Sequence, residues 1–411
     1  MFHPKMRYTY AGIDSHKATH TAVFLNCFFE KAGEISFRNA PGEFPGFLKE
    51  AEKIKAEGTT LVFGMEDVSA YGRPLADFLS KRGYLVKHVN ANLVAQERKN
   101  ESLTRKTDSV DAQSAARVLL SKFDKLPNAG PQDKIWMLKS LVARRQFMMK
   151  SKTALKGQLY AMIFAHYPSY REFFTEIEGK SSLAFLKKYP SPKKLKGVTA
   201  EELTDTLYAE SRFKVRGKAE QILERVEKDG DTSSDFQDMR DYAVVSAASQ
   251  LEANLKEMEG IEALLAKVLE LFDYPLTTMK GIDTVLASSI IAEIGDIKRF
   301  PTPAKLAQYA AVAPVTYASG QKDLKFANHR HNRRLNSLFY DLALLVSMTA
   351  GARKRVINPF FYDLYHRKLS EGKTKRQALK SVQRRLVNII WNMMTKGEPY
   401  INPPSYNLVE K

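Results

Sequence analysis

Tyr8-Thr9-Tyr10-Ala11-Gly12-Ile13-Asp14-Ser15-His16-Lys17 is the stretch whose reading decides the fold. Tyr8, Tyr10 and Ile13, followed by Ala22-Val23-Phe24, read as two short strands. Asp14 stands at the end of the first. Aspartate is poorly suited to a strand interior. A carboxylate closing an apolar central strand therefore points to a bound partner, a cation foremost. Two further acidic sites are placed to meet it. Glu66 ends the run Leu61-Val62-Phe63-Gly64-Met65, and Asp108 and Asp111 lie in Lys106-Thr107-Asp108-Ser109-Val110-Asp111-Ala112.

Working outward, residues 8–13, 21–25 and 34–38 read as strands, 44–55 as a helix, 61–66 as a strand, 72–82 as a helix and 84–90 as a strand. A final helix runs over 107–121, with Ala112, Ala115, Ala116, Val118 and Leu119 at helical spacing. Three strands, helix, strand, helix, strand, helix is the order of the ribonuclease-H-like fold. Asp14 then sits on the first strand, Glu66 at the end of the fourth, and Asp108 and Asp111 on the last helix. Residues three apart share a helix face, and Thr107 is placed to cap that helix. Four converging carboxylates repel unless a cation sits among them, and a pair of divalent metals is the arrangement that serves phosphodiester chemistry. Oxygen-only ligands favour Mg²⁺ or Mn²⁺. Each acid also has a plainer reading: Asp14 as a turn residue, Asp67 in place of Glu66, Asp108 as a charge complementing the helix dipole, Asp111 as a solvated side chain.

The 411 residues, 44% of them hydrophobic, suffice for two or three domains. A formal charge of +18 suits a polyanion, nucleic acid first; solvated lysine-rich faces are the alternative. The single cysteine, Cys27, excludes an internal disulfide framework and a Cys-rich zinc site. No apolar run approaches a membrane span, and the N-terminal residues show no apolar signal core. The expected location is the cytosol.

Residues 129–275 differ in texture. Leu138, Leu141, Met148, Leu155, Leu159 and Met162 repeat near seven, and Leu251, Leu255, Met258, Ile261, Leu265, Val268 and Phe272 step by three or four. Both stretches read as long amphipathic helices, able to form a coiled coil or a helical bundle core. Arg144, Arg145, Lys150 and Lys152 are either phosphate contacts or a solvated face. From Thr277 a third texture begins. Met279-Lys280-Gly281-Ile282-Asp283 before an apolar helix resembles a helix-hairpin-helix unit, or a plain helical hairpin. A strand or turn at 309–317 leads into the small-residue loop Ala318-Ser319-Gly320-Gln321, followed by Lys322, Lys325, His329, Arg330, His331, Arg333 and Arg334. Aromatics among the later basic residues either stack on bases or fill a core; Trp391 reads as core.

These residues together resemble the DEDD-type transposases of the insertion-sequence one-ten family, relatives of the Piv-type DNA invertases. The resemblance rests on Gly12-Ile13-Asp14, Met65-Glu66, the Lys106–Ala112 motif and Phe185-Leu186-Lys187-Lys188-Tyr189-Pro190-Ser191-Pro192. Farther on it rests on Met279-Lys280-Gly281-Ile282, Ala292-Glu293-Ile294-Gly295-Asp296, Ala313-Pro314 and Ser319-Gly320-Gln321-Lys322. It implies a RuvC-like domain over 1–128, a coiled-coil helical domain over 129–275 and a mostly helical transposase domain over 276–411. It further implies a recombinase of prokaryotic, nucleoid-associated setting. Asp14, Glu66, Asp108 and Asp111 would hold Mg²⁺ (or Mn²⁺) and Ser319 would be the nucleophile. Lys280, Gly281, Gly320, Lys322, Lys325, Arg330, Arg333 and Arg334 would face nucleic acid. A structured non-coding (bridge) RNA would select donor and target DNA for a homo-oligomer, dimer or tetramer. The sequence departs from the pattern at Tyr317-Ala318, where relatives commonly carry an arginine. The rival enzyme is a RuvC-like nuclease or junction resolvase using activated water, which needs only the four acids. The non-enzymatic rival is a basic nucleic-acid-binding scaffold.

Overall fold

Apolar runs at the start of the chain assemble into one five-stranded sheet in the order β3-β2-β1-β4-β5. Its strands are β1 (Tyr8–Ser15), β2 (Thr19–Leu25), β3 (Lys31–Arg38), β4 (Thr60–Met65) and β5 (Leu85–His88). The helices of this part are α1 (Phe44–Ile54), α2 (Arg73–Lys81), α3 (Ala91–Asn100) and α4 (Asp108–Lys122). In this computed structural model the described residues are 3–68, 70–100, 107–129, 133–209, 217–232, 235–313, 315–319, 322–326, 331–351 and 354–402. The chain divides into two units, Met1–Trp136 and Met137–Lys411.

In the first unit β2 runs antiparallel to both β1 and β3, whereas β4 is parallel to β1 and β5 to β4. The expected succession of strands and helices is present, and the sheet order and strand directions are consistent with a ribonuclease-H-like domain. Helix α3 was not anticipated; its 91–100 segment is polar and its apolar periodicity slight. One sheet face packs Ala11, Ile13, Phe24, Phe63 and Met65 against Phe44 and Phe47 of α1 and Leu75 and Leu79 of α2. The other face packs Tyr10, Val62, Val23 and Leu25 against Val94 of α3 and Ala112, Ala115, Ala116 and Leu119 of α4.

Side chains alternate across a strand, so Gly12 faces the same way as Asp14, toward α4. A Cβ on Gly12 would lie 2.2 Å from both the Ala112 carbonyl oxygen and the Ala116 nitrogen. Helix α4 thus rests on the bare backbone of β1. Ala112 and Ala116, both fully buried, supply its matching small surface. On β4, Gly64 pairs with Gly12 across the parallel ladder, and a Cβ there would lie 2.9 Å from Val89 and 3.2 Å from Leu119.

The second unit begins within α5 (Asp133–His166). It continues through α6 (Tyr170–Phe173), α7 (Lys180–Lys188), α8 (Pro192–Leu195), α9 (Ala200–Tyr208), α10 (Lys218–Asp229) and α11 (Gln237–Leu269). Helices α5 and α11 are antiparallel neighbours: Arg144 pairs with Glu257 and Arg145 with Glu262 at one end, and His166 meets Gln237 at the other. Two of the cations considered as phosphate contacts are therefore bound to glutamates of the same chain, and Lys152 pairs with Glu178. The short helices close over one end, where Tyr167, Phe173, Phe185, Leu203, Val244 and Leu251 share a core. The Tyr189-Pro190-Ser191 signature has a structural role here. His166 Nδ1 donates to the Pro190 carbonyl at 2.8 Å, Ser191 Oγ to Asp241 at 3.1 Å and Tyr167 to the Tyr189 carbonyl at 2.9 Å. Gln237 Nε2 donates to Asp241 at 2.8 Å, so this buried carboxylate accepts two hydrogen bonds.

Beyond α11 come α12 (Thr284–Ile294), α13 (Pro303–Tyr309), the hairpin β6 (Val315–Ser319) and β7 (Lys322–Phe326), and α14 (Arg333–Val346). A two-stranded ribbon, β8 (Thr349–Ala350) and β9 (Arg355–Val356), precedes α15 (Pro359–Ser370) and α16 (Lys375–Lys396). Leu342, Val346, Val382, Leu386 and Ile390 are fully buried. Trp391 donates its indole N–H to the Phe300 carbonyl at 2.8 Å, in keeping with a packing role.

Gly12→Ala should destabilise the first unit by about 1–3 kcal/mol or more, because α4 must lift off the sheet. Gly46→Ala on α1 meets no atom within 4 Å, and should be neutral or stabilising by up to about 1 kcal/mol. Denaturant unfolding of the two variants checks both directions.

Candidate metal centre

Asp14 is 9% exposed and pairs across the ladder with Thr21, whose hydroxyl lies 3.1 Å from Ser36 Oγ. Ile13 pairs with Met65 on the parallel strand. Glu66, the next residue, therefore leaves β4 beside the position Asp14 holds on β1. Asp108 opens α4, where an anion complements the helix dipole. Thr107 caps that helix as expected: its hydroxyl accepts from the Val110 N–H at 3.3 Å. Ser109, in the same turn, donates to Glu34 of β3 at 2.7 Å, and Glu34 also pairs with Lys31. The Lys31 ammonium, then Ser109, holds the Glu34 carboxyl below its usual range. The acid-bearing end of α4 is thus tied to the edge of the sheet as well as to its middle.

His16 stands between the two aspartates. Its Nδ1 is 3.5 Å from Asp14 Oδ2, and its Nε2 is 4.0 Å from Asp108 Oδ1. With one donor atom taken from each, Asp14, His16 and Asp108 all lie within 4.8 Å of one another. Two carboxylates and an imidazole form a donor set that fits a divalent cation. The loop carrying His16 is fixed from both sides. The His16 N–H donates to the Thr19 carbonyl at 3.0 Å. Asn39 Nδ2 donates to the His16 carbonyl at 3.2 Å and to the Tyr71 carbonyl at 3.0 Å, linking the β1–β2 turn to the β4–α2 loop. Asp67, the alternative to Glu66, organises that second loop: its carboxylate accepts from the N–H groups of Ala70 at 2.7 Å and Tyr71 at 2.6 Å.

Glu66 and Asp111 stay outside the converging group of three. Asp111 is one turn farther along α4 and forms an ion pair with Arg98 of α3. Neither His16 nor Arg98 was among the residues singled out from the sequence. The Asp14-x-His16 spacing was the available signal for the first. Arg98 had none, since it reaches Asp111 only once α3 packs on α4.

In the second unit Ser319 ends β6 and pairs with Lys322 of β7. Gly320, Gln321, His329 and Arg330 lie outside the described residues, as do the side chains of Ser319, Lys322 and Lys325. Arg333 opens α14, and Arg334 pairs with Glu293 at 3.1 Å. Asn332 caps α14 and also donates to Glu293 at 2.7 Å; the Ala292–Asp296 motif therefore anchors the helix that follows the hairpin. The stretch before α12 is a single 3-10 turn, Leu276–Thr278, rather than a full first helix. Asp283 caps α12, occupying the amide of Leu286 at 2.7 Å. Gly281 (φ +104°) lies against Val346 of α14, 2.8 Å from where its Cβ would be.

Arg98→Ala leaves Asp111, 13% exposed at its side chain, without its guanidinium. The loss should be about 1–3 kcal/mol of stability. Millimolar Mg²⁺ or Mn²⁺ should raise the melting temperature of the variant more than that of the parent, since a carboxylate has been released. Thermal melts with and without the cation read this directly.

Two transposase family models match the chain. A model of the IS110 type of DEDD transposase covers residues 11–168, and one described as transposase of the IS116/IS110/IS902 family covers 273–357. Among curated proteins, the insertion element IS110 uncharacterized 43.6 kDa protein of Streptomyces coelicolor is 26% identical over 407 residues, 95% of each chain. The insertion element IS116 uncharacterized 44.8 kDa protein of Streptomyces clavuligerus is 26% identical over 294 residues, 70% of this chain and 71% of the relative. The pilin gene-inverting protein of Moraxella bovis is 27% identical over 130 residues, 30% of this chain and 37% of its own. Matched by both models and by relatives along nearly its whole length, the chain belongs to the IS110 family of transposases, DNA recombinases of insertion elements.

Proposed function

We propose that this transposase cuts and rejoins DNA through a serine nucleophile, with Asp14, Glu66, Asp108 and Asp111 holding Mg²⁺ or Mn²⁺ and a structured non-coding RNA choosing donor and target DNA. The observation that carries the metal part is the convergence of Asp14, at the end of a central strand, with Asp108, at a helix N-terminus, in a chain of this family. A bound divalent cation would supply Lewis-acid activation and charge neutralisation at the phosphorus. Asp14, largely buried, and Asp108, held by the capped turn of α4, would orient that cation. Asp111 would join them on leaving Arg98.

Ser319 is the proposed nucleophile. A serine hydroxyl is weak at neutral pH and needs activation. No general base adjoins it in sequence, so the acidic centre and Ser319 must act on the same phosphodiester, within one protomer or between two. Its Oγ would bond to phosphorus as a DNA hydroxyl leaves, and the reverse step would rejoin the strands. Lys322 and Lys325 on β7 and Arg333 at the start of α14 would neutralise phosphate oxygens. The net charge of +18 supports a polyanionic partner. The division at about residue 275, a coiled coil between copies of the α5–α11 pair, a dimer or tetramer, and action in the prokaryotic cytoplasm at the nucleoid complete the reading.

Full-length protein with cleavable DNA should give a covalent adduct that survives denaturant and maps by mass to the peptide containing Ser319. Ser319→Ala should bind DNA and form no adduct, and Asp14→Asn should bind DNA and not cut. Cutting by Ser319→Ala would favour activated water instead. An adduct on Tyr317 would move the nucleophile, and full cleavage in EDTA would remove the metal.

For the RNA, protein isolated from cells carrying its native locus should retain one specific transcript, and ribonuclease should stop recombination. If about six phosphates are contacted, binding should fall with salt at a log–log slope near −5. Undiminished recombination on DNA after the RNA is destroyed would end this part of the reading.

A further inference from the structure

We infer that His16 is a direct nitrogen ligand of the metal centre, which makes the centre a mixed oxygen–nitrogen site that favours Mn²⁺ over Mg²⁺. The inference rests on the proposal that the acids hold a divalent cation, and it changes the chemistry of that site from the all-oxygen set implied by four carboxylates.

The distances separate two roles for the imidazole. As a hydrogen-bonding partner of the aspartates it would need a nitrogen within about 3.2 Å of a carboxylate oxygen. Its closest approaches are 3.5 Å to Asp14 and 4.0 Å to Asp108, too long in both cases. As a co-ligand it needs only to share a small ion with them. Two donors each about 2.1 Å from one cation lie at most about 4.2 Å apart. The 3.5 Å approach to Asp14, made by Nδ1, falls inside that limit; the 4.0 Å approach to Asp108 is made by the other ring nitrogen, Nε2, so the group closes on one ion only as side chains shift. The whole group, within 4.8 Å, needs only small side-chain adjustments to close on one ion.

The backbone supports the same role. The His16 N–H and carbonyl are both engaged, by Thr19 and by Asn39. The turn is therefore set before any ion arrives, and the imidazole projects from a fixed base beside a nearly buried carboxylate. Its own side chain is 53% exposed. It makes no part of the core, and its replacement removes a donor without opening a cavity.

The chemical consequence follows from ligand type. Mg²⁺ selects oxygen donors and near-ideal octahedral geometry. An imidazole in the set favours transition ions over Mg²⁺. Mn²⁺ accepts carboxylate and imidazole together and carries unpaired electrons, so it reports its own ligands.

The experiment is Mn²⁺ binding to the full-length protein, followed by electron paramagnetic resonance, with Asp14→Asn and His16→Gln as variants. Circular dichroism and melting temperature establish that both remain folded. The expected result is Mn²⁺ bound by the parent, with pulsed spectra showing the ¹⁴N coupling of a coordinated imidazole. His16→Gln should lose that coupling and bind Mn²⁺ at least about tenfold more weakly, while competition by Mg²⁺ changes less. Bound Mn²⁺ that shows no ¹⁴N coupling in the parent would overturn the role of His16 and leave the acidic centre standing. Coupling that persists in His16→Gln would do the same. Failure of the parent to bind Mn²⁺, or binding unaffected by Asp14→Asn, would overturn the acidic centre itself and His16 with it.

Discussion

The contact of α4 with the bare backbone of β1 at Gly12 is the constraint on which the first unit depends. A helix resting on a sheet ordinarily stands off by the length of two side chains, with strand and helix surfaces interdigitating. Here the strand contributes a glycine and the helix contributes Ala112 and Ala116. The backbones approach until a single methyl group would collide. That closeness brings Asp108, at the start of α4, within reach of Asp14, two residues beyond Gly12 on the same face. The glycine is a packing residue whose effect is electrostatic: it determines how near two carboxylates can come.

Bringing carboxylates together costs free energy, and the fold offsets it in two ways. The capped N-terminus of α4 presents its dipole to Asp108. Arg98 takes Asp111. The surrounding loops are held by side chains bonded to backbone: Asp67 accepts from three backbone N–H groups, and Asn39 bridges two loops. The acids of this region thus divide into those that shape the loops and those that face one another.

The second unit follows the same economy of charge. Its long helices are rich in Arg, Lys and Glu, and many of the cations find a glutamate of their own chain. Arg144, Arg145, Lys152, Lys187 and Arg334 are all paired in this way. A basic sequence is therefore not uniformly a basic surface. Asp241, a carboxylate buried in the helical core, is satisfied by Gln237 and Ser191. The Tyr189-Pro190-Ser191 segment reads as the strap that closes this core.

The succession of strands and helices apart from α3, and the Thr107 cap, were legible because they follow from short-range rules: apolar alternation, helical periodicity and a hydroxyl before an acidic first turn. Asp14 and Glu66 lie at corresponding ends of neighbouring strands because β1 and β4 run parallel, with Ile13 paired to Met65. The Lys280–Gly281 segment was less legible. A glycine turn before an apolar helix looks the same in sequence whether or not it grips a phosphate; the structure adds that Gly281 lies against Val346 and that Asp283 caps the helix that follows.

What the sequence determined by itself was the inventory of local elements, the acids at their ends and the excess of positive charge. What only the tertiary structure decided was which charges meet. His16 is separated from Asp108 by 92 positions and Arg98 from Asp111 by 13, and no periodicity links either pair. Their partners are chosen by the distance at which α4 settles on the sheet and by the packing of α3 beside it. Both are long-range consequences of two glycines and a few alanines, residues whose meaning in a sequence is silent until something is packed against them.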